Sequence, residues 1–144
     1  MKILIIEDDK VKKEKLSIFL EGNEVEIKES FQSGLDSLKK NTYDLLILDM
    51  TIPLWEETKN DINQNYEPFG GERILREMKR KKIHVPVVLF TMFDKFPINN
   101  EVLTFQQKNS EYKQTYDFYI DGVYYESTND SWKNILSSLI RKLQ

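Results

Sequence analysis

The chain has 144 residues, a length that fits one domain with a sizeable core. Its net charge is −3, which argues against nucleic acid as the main partner. It has no cysteine and one histidine, His84, so the composition excludes a disulfide framework, a thiolate metal site and a multi-histidine metal cluster.

The first half of the chain alternates short apolar runs with helical patterns. Residues 3–6 form an apolar run typical of a central parallel strand. The run is too short for a signal peptide or a membrane span, so we expect a soluble, cytoplasmic protein with no membrane partner. Residues 24–28 alternate apolar and charged side chains, as an edge strand does. Ser30 is placed to cap a second helix, and Asp9 a first one over about residues 10–20, with these residues expected on its buried side: Val11, Leu16, Phe19 and Leu20.

The second half continues the alternation. Residues 45–48 and 85–90 are apolar runs of the central-strand kind, residues 71–80 have helical spacing, and residues 123–126 are a candidate for the second edge strand. A last helix follows the cap candidate Asp130, with these residues expected on its apolar face: Trp132, Ile135, Leu136, Leu139, Ile140 and Leu143. Strands that alternate with helices predict a parallel sheet with right-handed crossovers and helices on both faces.

Acidic residues follow two of the predicted strands. Glu7, Asp8 and Asp9 come after the first, Asp49 ends the third and Thr91 ends the fourth. Ligands of such sheets gather beyond the carboxyl ends of the strands, and crowded carboxylates repel one another unless a cation binds them. Oxygen ligands without histidine or thiolate favour Mg²⁺ or Mn²⁺. Each of these residues also has a purely structural explanation when it is considered alone: Asp9 as a helix cap, Thr91 as an ordinary strand-end residue and Asp49 as a turn cap.

Four stretches, "ILIIEDD", "YDLLILDMTIP", "GGERILREMK" and "VPVVLFT", resemble the receiver domains of two-component response regulators. The resemblance implies an α/β, flavodoxin-like fold: a five-stranded parallel sheet of order 2-1-3-4-5 with helices on both faces. It implies a single receiver-like domain over residues 1–144, ending after its fifth helix. Compared with the family, the chain has an inserted loop at about 54–70 and an extended fourth-helix region at about 92–121.

The resemblance also implies roles for individual residues. Asp49 matches the phosphoacceptor, and Thr91 matches the switch hydroxyl that binds a phosphoryl oxygen. Mg²⁺ is the expected cofactor, with Asp8 and Asp49 as ligands, Glu7 as a ligand through water and Thr51 contributing its backbone carbonyl. The expected partners are a histidine kinase or phosphotransfer protein and a downstream protein. No enzymatic activity is expected beyond Mg²⁺-dependent self-phosphorylation and slow autodephosphorylation.

The chain departs from the family at the end of the fifth strand. Glu126 takes the place of a lysine that normally binds the phosphoryl group. At about 4 Å, this exchange turns an attraction of roughly 4 kcal/mol into a repulsion of similar size at an effective dielectric near 20. By chain position, Lys10, Lys59 and Lys95 are candidate substitutes, and Lys95 is preferred because it follows the switch residue Thr91 by four positions.

Two longer segments also depart from the family. The insertion at 54–70 is predicted to be a lid or a partner-binding loop, pinned by Trp55, Tyr66 and Phe69. A stripe of tyrosines in the fourth-helix region is interpreted as core, with a partner surface as the alternative; its members are Tyr112, Tyr116 and Tyr119.

Two other functions compete with the phosphoacceptor. The first is a pseudo-receiver adaptor that signals without phosphorylation, which Glu126 favours and the acidic residues oppose. The second is a phosphohydrolase of the haloacid-dehalogenase type, which also uses an aspartate after a strand. Such enzymes need a second acid two residues further on, where this chain has Thr51.

Overall fold

A computed structural model describes residues 1–56, 66–67, 69–93, 95–98 and 101–144. The strands are β1 (Lys2–Ile6), β2 (Glu24–Lys28), β3 (Leu45–Leu48), β4 (Ile52–Pro53), β5 (Tyr66–Glu67), β6 (Val87–Thr91), β7 (Lys95–Ile98), β8 (Glu101–Thr104) and β9 (Tyr119–Tyr124). The helices are α1 (Lys10–Phe19), α2 (Phe31–Lys40), α3 (Gly70–Lys81), α4 (Phe105–Thr115) and α5 (Ser131–Leu143).

Five strands form one parallel sheet in the order β2-β1-β3-β6-β9. Counted along the sheet strands alone, this is the predicted order 2-1-3-4-5. The strands β1, β3 and β6 are central because both of their faces are apolar and buried. The alternating strand β2 lies at one edge, as predicted, and β9 lies at the other.

Helices cover both faces of the sheet, so the protein has two cores. On one face, Leu4 and Ile6 of β1 pack in a cluster with side chains of α2, α3 and α4. On the other face, Ile3 and Ile5 pack with side chains of α1 and α5. This arrangement confirms the fold class, and it leaves the carboxyl ends of the strands as the edge where loops converge.

The buried side of α1 differs from the prediction at one position. Asp9 caps the helix as expected, since its side chain accepts a hydrogen bond from the backbone N–H of Lys12 at 2.9 Å. Val11, however, is 52% exposed, and Lys12 is buried instead. The buried face follows the i, i+4, i+8 positions Lys12, Leu16 and Leu20, so Val11 is turned toward solvent. The prediction that Val11 is buried is therefore wrong.

The last helix, α5, also departs in two details. Ile135, expected on its apolar face, is 47% exposed. Asp130 stands at the cap position but makes no side-chain cap bond. The backbone N–H of Ser131 donates instead to Asn129 Oδ1 at 3.0 Å. The helix begins as predicted, but the residue one position earlier satisfies its first amide.

The fourth-helix region contains an antiparallel hairpin of β7 and β8 before α4 begins. Thr104 starts α4 with a capping box that also involves Gln107. Tyr112, Tyr116 and Tyr119 are 1%, 6% and 5% exposed, so the core interpretation of the tyrosine stripe is confirmed. Tyr119 belongs to β9 and not to the helix.

The predicted insertion begins and ends at a short antiparallel ladder. Ile52 of β4 pairs with Glu67 of β5. The middle of the insertion, residues 57–65 with Lys59, lies outside the described residues, as does residue 68, so the lid interpretation stays a prediction.

Among the described helices, none is both long and apolar enough to pass through a membrane.

Candidate functional site

The acidic residues meet at the carboxyl edge of the sheet because the strands that carry them are neighbours. Glu7 follows β1, Asp49 follows β3 and Thr91 ends β6. The backbone N–H of Asp49 donates to the carbonyl of Ile6 at 3.1 Å, which extends the ladder to the acid itself. Glu7, Asp49 and Thr91 are 1%, 5% and 0% exposed. Backbone pairing therefore brings the ends of these three strands to the same edge of the sheet.

One oxygen from each of Glu7, Asp8 and Asp49 lies within 4.8 Å of the other two. This donor set fits a hard divalent cation such as Mg²⁺, which prefers carboxylate oxygens and water. Asp8, Asp49 and Thr51 line a common cleft. Thr51 is 6% exposed and lies at this cleft, and its role as a metal ligand stays a prediction.

A lysine that the sequence analysis missed lies in the middle of this cluster. Lys12 Nζ is 2.8 Å from Glu7 Oε1 and 3.0 Å from Asp49 Oδ2. The Lys12, Glu7 and Asp49 side chains are 2%, 2% and 6% exposed. The signal was present in the chain: Lys12 shares the i, i+4 spacing of Leu16 and Leu20, so its side chain points inward beside the acids.

Other bonds fix the orientation of the carboxylates. The backbone N–H of Met50 donates to Asp49 Oδ1 at 2.8 Å, and that of Asp9 donates to Glu7 Oε2 at 3.1 Å. The second oxygen, Glu7 Oε1, accepts no hydrogen bond of good geometry from any described residue. Its contact with Lys12 is therefore an ionic one, and a buried oxygen remains directed into the cluster.

The electrostatics of the cluster indicate a surplus of negative charge. Burial raises the pKa of Glu7, and the nearby charge of Asp49 raises it further. Burial and then Asp49 raise the pKa of Asp8 to about 6. Burial alone would lower the pKa of Lys12, but Asp49 and Glu7 outweigh it and the pKa is raised. The ammonium thus keeps its proton at neutral pH, and a further cation would relieve the repulsion that remains.

Thr91 is fully buried, and its Oγ1 accepts a hydrogen bond from the backbone N–H of Phe93 at 3.2 Å. The next two residues, Met92 and Phe93, line the cleft beside Asp49. They are 47% and 41% exposed. Large apolar side chains therefore border the entrance to Asp49.

Glu126 does not take part in the cluster. It follows β9, is exposed, and accepts a hydrogen bond from Asn129 Nδ2 at 2.7 Å. Of the three predicted substitutes for the missing lysine, Lys10 is exposed and lines the cleft, and Lys95 is exposed in β7. Lys59 lies outside the described residues. The ammonium that the structure places on Asp49 belongs to Lys12, which was not among the candidates.

The start of α3 packs directly on the backbone around Asp49. The N–H of Gly71 donates to the carbonyl of Met50 at 2.8 Å. A Cβ at position 71 would collide with the carbonyl oxygen of Asp49 and come within 2.9 Å of Met50 Cα. Glycine is therefore required at this point for the helix to approach the strand end so closely.

A profile of the response regulator receiver domain matches residues 3–109, which is more than half of the chain. The chain therefore belongs to the receiver domain family of two-component signalling. Receiver domains are signalling domains rather than enzymes, and the acidic cluster is of the kind that binds Mg²⁺ in this family.

Two curated relatives match over almost their whole length. The "Uncharacterized protein y4jR" of Sinorhizobium fredii is 25% identical over 144 residues, covering 96% of this chain and 95% of the relative. The Detocs response regulatory protein DtcB of Vibrio alginolyticus is 26% identical over 140 residues, covering 91% and 93%.

Solved receiver domains share the fold. The receiver domain of the Francisella response regulator 1452 has a TM-score of 0.67 and 16% identity, covering 99% of this chain and 95% of that one. The response regulator TrrA of Thermotoga maritima, solved with Mg²⁺ and BeF, has a TM-score of 0.60 and 21% identity, covering 96% and 97%. At these identities, the likeness concerns the fold alone.

Proposed function

We propose that this chain is a phosphoacceptor signalling domain that receives a phosphoryl group on Asp49 and acts through protein–protein interaction. The observation that carries the proposal is the position of Asp49. It lies at the end of a central strand, is 5% exposed, and has two further carboxylates beside it. Buried carboxylates crowded in this way destabilise a fold unless a cation or a reaction makes use of them.

In the proposed transfer, an oxygen of the Asp49 carboxylate attacks the phosphorus of a phosphohistidine on a donor protein. The new O–P bond forms as the P–N bond breaks, and the electron pair of the broken bond stays on the imidazole nitrogen. The imidazole leaves in its neutral form, taking a proton from solvent if its other nitrogen carries none. The hydrogen bond from the Met50 N–H to Oδ1 holds the carboxylate in a fixed direction for this attack.

Glu7, Asp8 and Asp49 would hold Mg²⁺, with the backbone carbonyl of Thr51 as a further ligand. The chemistry that this ion supplies is the neutralisation of phosphoryl oxygens during transfer. The hydroxyl of Thr91 would exchange its present bond with the Phe93 N–H for a bond donated to a phosphoryl oxygen. This exchange would connect the phosphorylation state to the segment that follows β6.

The proposal includes a histidine kinase or phosphotransfer protein as donor and a protein as downstream partner. DtcB, a relative by sequence, is named as a response regulatory protein, which supports a role in signalling. In this proposal, residues 1–144 form a single receiver domain with the insertion at 54–70 and the extended region at 92–121.

The test is the incorporation of phosphate measured by intact mass. Incubation with Mg²⁺ and a small phosphodonor, or with the cognate kinase, should add one phosphoryl group that hydroxylamine removes, as expected for an acyl phosphate. Asp49→Asn should abolish the addition. The matched control is Asp36→Asn, because Asp36 is an exposed aspartate on α2 and should leave the addition unchanged. Incorporation that survives in Asp49→Asn would refute the proposal.

A second function, the phosphorylation-independent pseudo-receiver, is favoured by one observation. The ammonium of Lys12 already contacts two of the three acids, so the cluster has one counter-charge without metal or phosphate. If the wild-type chain gains no phosphoryl group from its cognate kinase, the pseudo-receiver is the better description.

A further inference from the structure

A phosphoryl group on Asp49 brings a charge problem to the site. It replaces one negative charge on Asp49 by about two, next to the acids Glu7 and Asp8. The end of β9 supplies no positive charge, because it is followed by Glu126. The Glu126 side chain is exposed and accepts a hydrogen bond from Asn129. A positive group from another element must therefore face Asp49 if the phosphorylated state is to be stable.

Lys12 is placed and held in the way this role requires. Its Nζ donates to Asp49 Oδ2 at 3.0 Å, which is the distance of a charge-assisted hydrogen bond. Its side chain leaves the first turn of α1, and the same face of the helix is anchored by Leu16 and Leu20 at 0% and 2% exposure. Because the lysine is buried, little side-chain entropy is left to lose when it binds a ligand.

We propose that Lys12 is the ammonium that binds the phosphoryl group on Asp49, supplying from helix α1 the charge that the end of β9 lacks. The inference rests on the proposed function, since it assumes that Asp49 is the acceptor. It assigns Lys12 contact with the reacting group, so Lys12 is a catalytic residue in the transfer and a stabilising ligand afterwards.

Lys10 is the natural alternative, and the geometry disfavours it. Lys10 lines the same cleft and precedes Lys12 by two residues, but its side chain is exposed. An exposed ammonium is screened by water and loses rotamer entropy when it binds. A buried ammonium already in contact with the acceptor oxygen has neither disadvantage.

The position of Lys12 also predicts opposite effects on two ligands. Its ammonium contacts oxygens of Glu7 and Asp49, which are two of the three carboxylates that would hold Mg²⁺. Without a phosphoryl group, the ammonium and the metal therefore compete for the same acids. With a phosphoryl group, the ammonium has a new partner and the competition ends. Removal of Lys12 should thus strengthen the binding of Mg²⁺ alone and weaken the binding of a phosphoryl mimic.

The experiment compares Lys12→Gln with the matched control Lys10→Gln by isothermal titration calorimetry. At saturating Mg²⁺, beryllofluoride should bind Lys12→Gln about 10- to 100-fold more weakly than wild type, the fold-change that corresponds to one hydrogen bond with charged partners. Mg²⁺ alone should bind Lys12→Gln at least about threefold more tightly, since a competing charge is gone. Lys10→Gln should stay within about threefold of wild type for both ligands, as expected for an exposed charge.

A double variant, Lys12→Gln with Glu126→Lys, gives a second measurement. A lysine at the end of β9 should restore beryllofluoride binding to within about threefold of wild type, as expected when one ammonium replaces another. Circular dichroism in Mg²⁺ checks that each variant is folded. Restoration would support the assignment of the ammonium, because a merely structural defect at position 12 would not be repaired from β9.

The outcomes separate this inference from the function on which it rests. If wild type binds beryllofluoride and Lys12→Gln binds it equally well, the inference is overturned and the proposed function stands. The inference is also overturned if Lys12→Gln weakens Mg²⁺ and beryllofluoride in parallel, which would indicate a damaged site. If wild type binds no beryllofluoride and takes no phosphoryl group, the proposed function fails and this inference fails with it.

Discussion

Two lysines are buried among the described residues, and their surroundings differ. Lys12 and Lys108 are 2% and 3% exposed, and each ammonium contacts two carboxylates at 2.8–3.1 Å. The partners of Lys108 are Glu72 of α3, 20% exposed, and Glu111 of α4, 51% exposed. The partners of Lys12 are 2% and 6% exposed, and a third acid, Asp8, lies beside them.

The two buried lysines therefore differ in the exposure and the number of the carboxylates around them. Glu72 and Glu111 retain access to water, so Lys108 joins α3 to α4 in a contact that is already complete. It also lies over the ring of Tyr112, with Nζ 5.1 Å from the centroid. Two of the three acids around Lys12 are buried, and the acids exceed the lysine in number. A metal ion can use this excess of negative charge.

The largest expected effect is on Lys12→Met in the absence of metal. The change leaves buried Glu7 and Asp49 facing each other without a counter-charge, and proton uptake by Glu7 offsets only part of the cost. The free energy of unfolding, measured with urea at neutral pH, should fall by about 3 kcal/mol. Saturating Mg²⁺ should recover most of this loss. A loss that Mg²⁺ does not reduce would contradict the shared use of these acids.

Lys108→Met is the matched variant in the other region. Its partners can turn to water, and the methionine can retain the packing against Tyr112. The free energy of unfolding should fall by about 1 kcal/mol, the size expected for a partly exposed ion pair. The loss should be the same with and without Mg²⁺. A Mg²⁺-dependent loss would show that the two regions are coupled.

The pH dependence of the free energy of unfolding tests the crowding of the acids around Lys12 in the metal-free protein. Burial and Asp49 raise the pKa of Asp8 from its ordinary value near 4 to about 6. Between these values the folded state binds more protons than the unfolded state, so stability falls as pH rises from about 4 to about 6. Because Asp8 is only half-buried and its charge is screened, we expect a fall of about 1 kcal/mol in urea unfolding.

Two controls accompany this pH series. Asp8→Asn should reduce the fall between pH 4 and 6, and the fall that remains belongs to Glu7, whose raised pKa acts in the same direction. Saturating Mg²⁺ should also flatten the curve, since the metal takes the place of the proton. A pH dependence between pH 4 and 6 that is the same in the metal-free wild type and in Asp8→Asn would contradict the raised pKa of Asp8.

The smallest expected effect is that of Tyr112→Phe. The Tyr112 hydroxyl donates a weak hydrogen bond to the sulfur of Met50 at 3.7 Å, which connects the α4 region to the residue after Asp49. Its loss should cost about 0.5 kcal/mol or less in urea unfolding. The affinity for Mg²⁺, followed by calorimetry, should not change. A shift in that affinity would mean that Asp49 senses the packing of α4.

The parts of the site that are set by strand order were predictable from the sequence. The apolar runs end at residues that a parallel sheet brings to the same edge. The sequence therefore predicted that Glu7, Asp8, Asp49 and Thr91 lie at one edge of the sheet. The resemblance to receiver domains implied the strand order, and residue types at the ends of the predicted helices gave the caps at Asp9 and Ser30. These features depend on local patterns whose period is visible in the chain.

Lys12 could not be placed in the same way. A lysine next to Val11 on an amphipathic helix is ordinarily the solvent-facing residue, and Val11 was expected to be buried. The acids reverse this preference, because a buried ammonium with ion partners costs less than three uncompensated carboxylates. That balance involves residues 37 positions apart, Lys12 and Asp49. Helical spacing aligns Lys12 with Leu16 and Leu20 but holds no information about this ion pair.

The hydrogen bond from Gly71 to Met50 and the pairing of Ile52 with Glu67 close the two ends of the inserted segment on each other. In polymer terms, the strand end and the start of α3 are already joined, so the segment between them is a closed loop. The entropy of closing a loop grows only with the logarithm of its length, about 0.6 kcal/mol for each doubling. The chain between Pro53 and Gly70 can therefore lengthen or shorten over evolution at little cost to the position of Asp49.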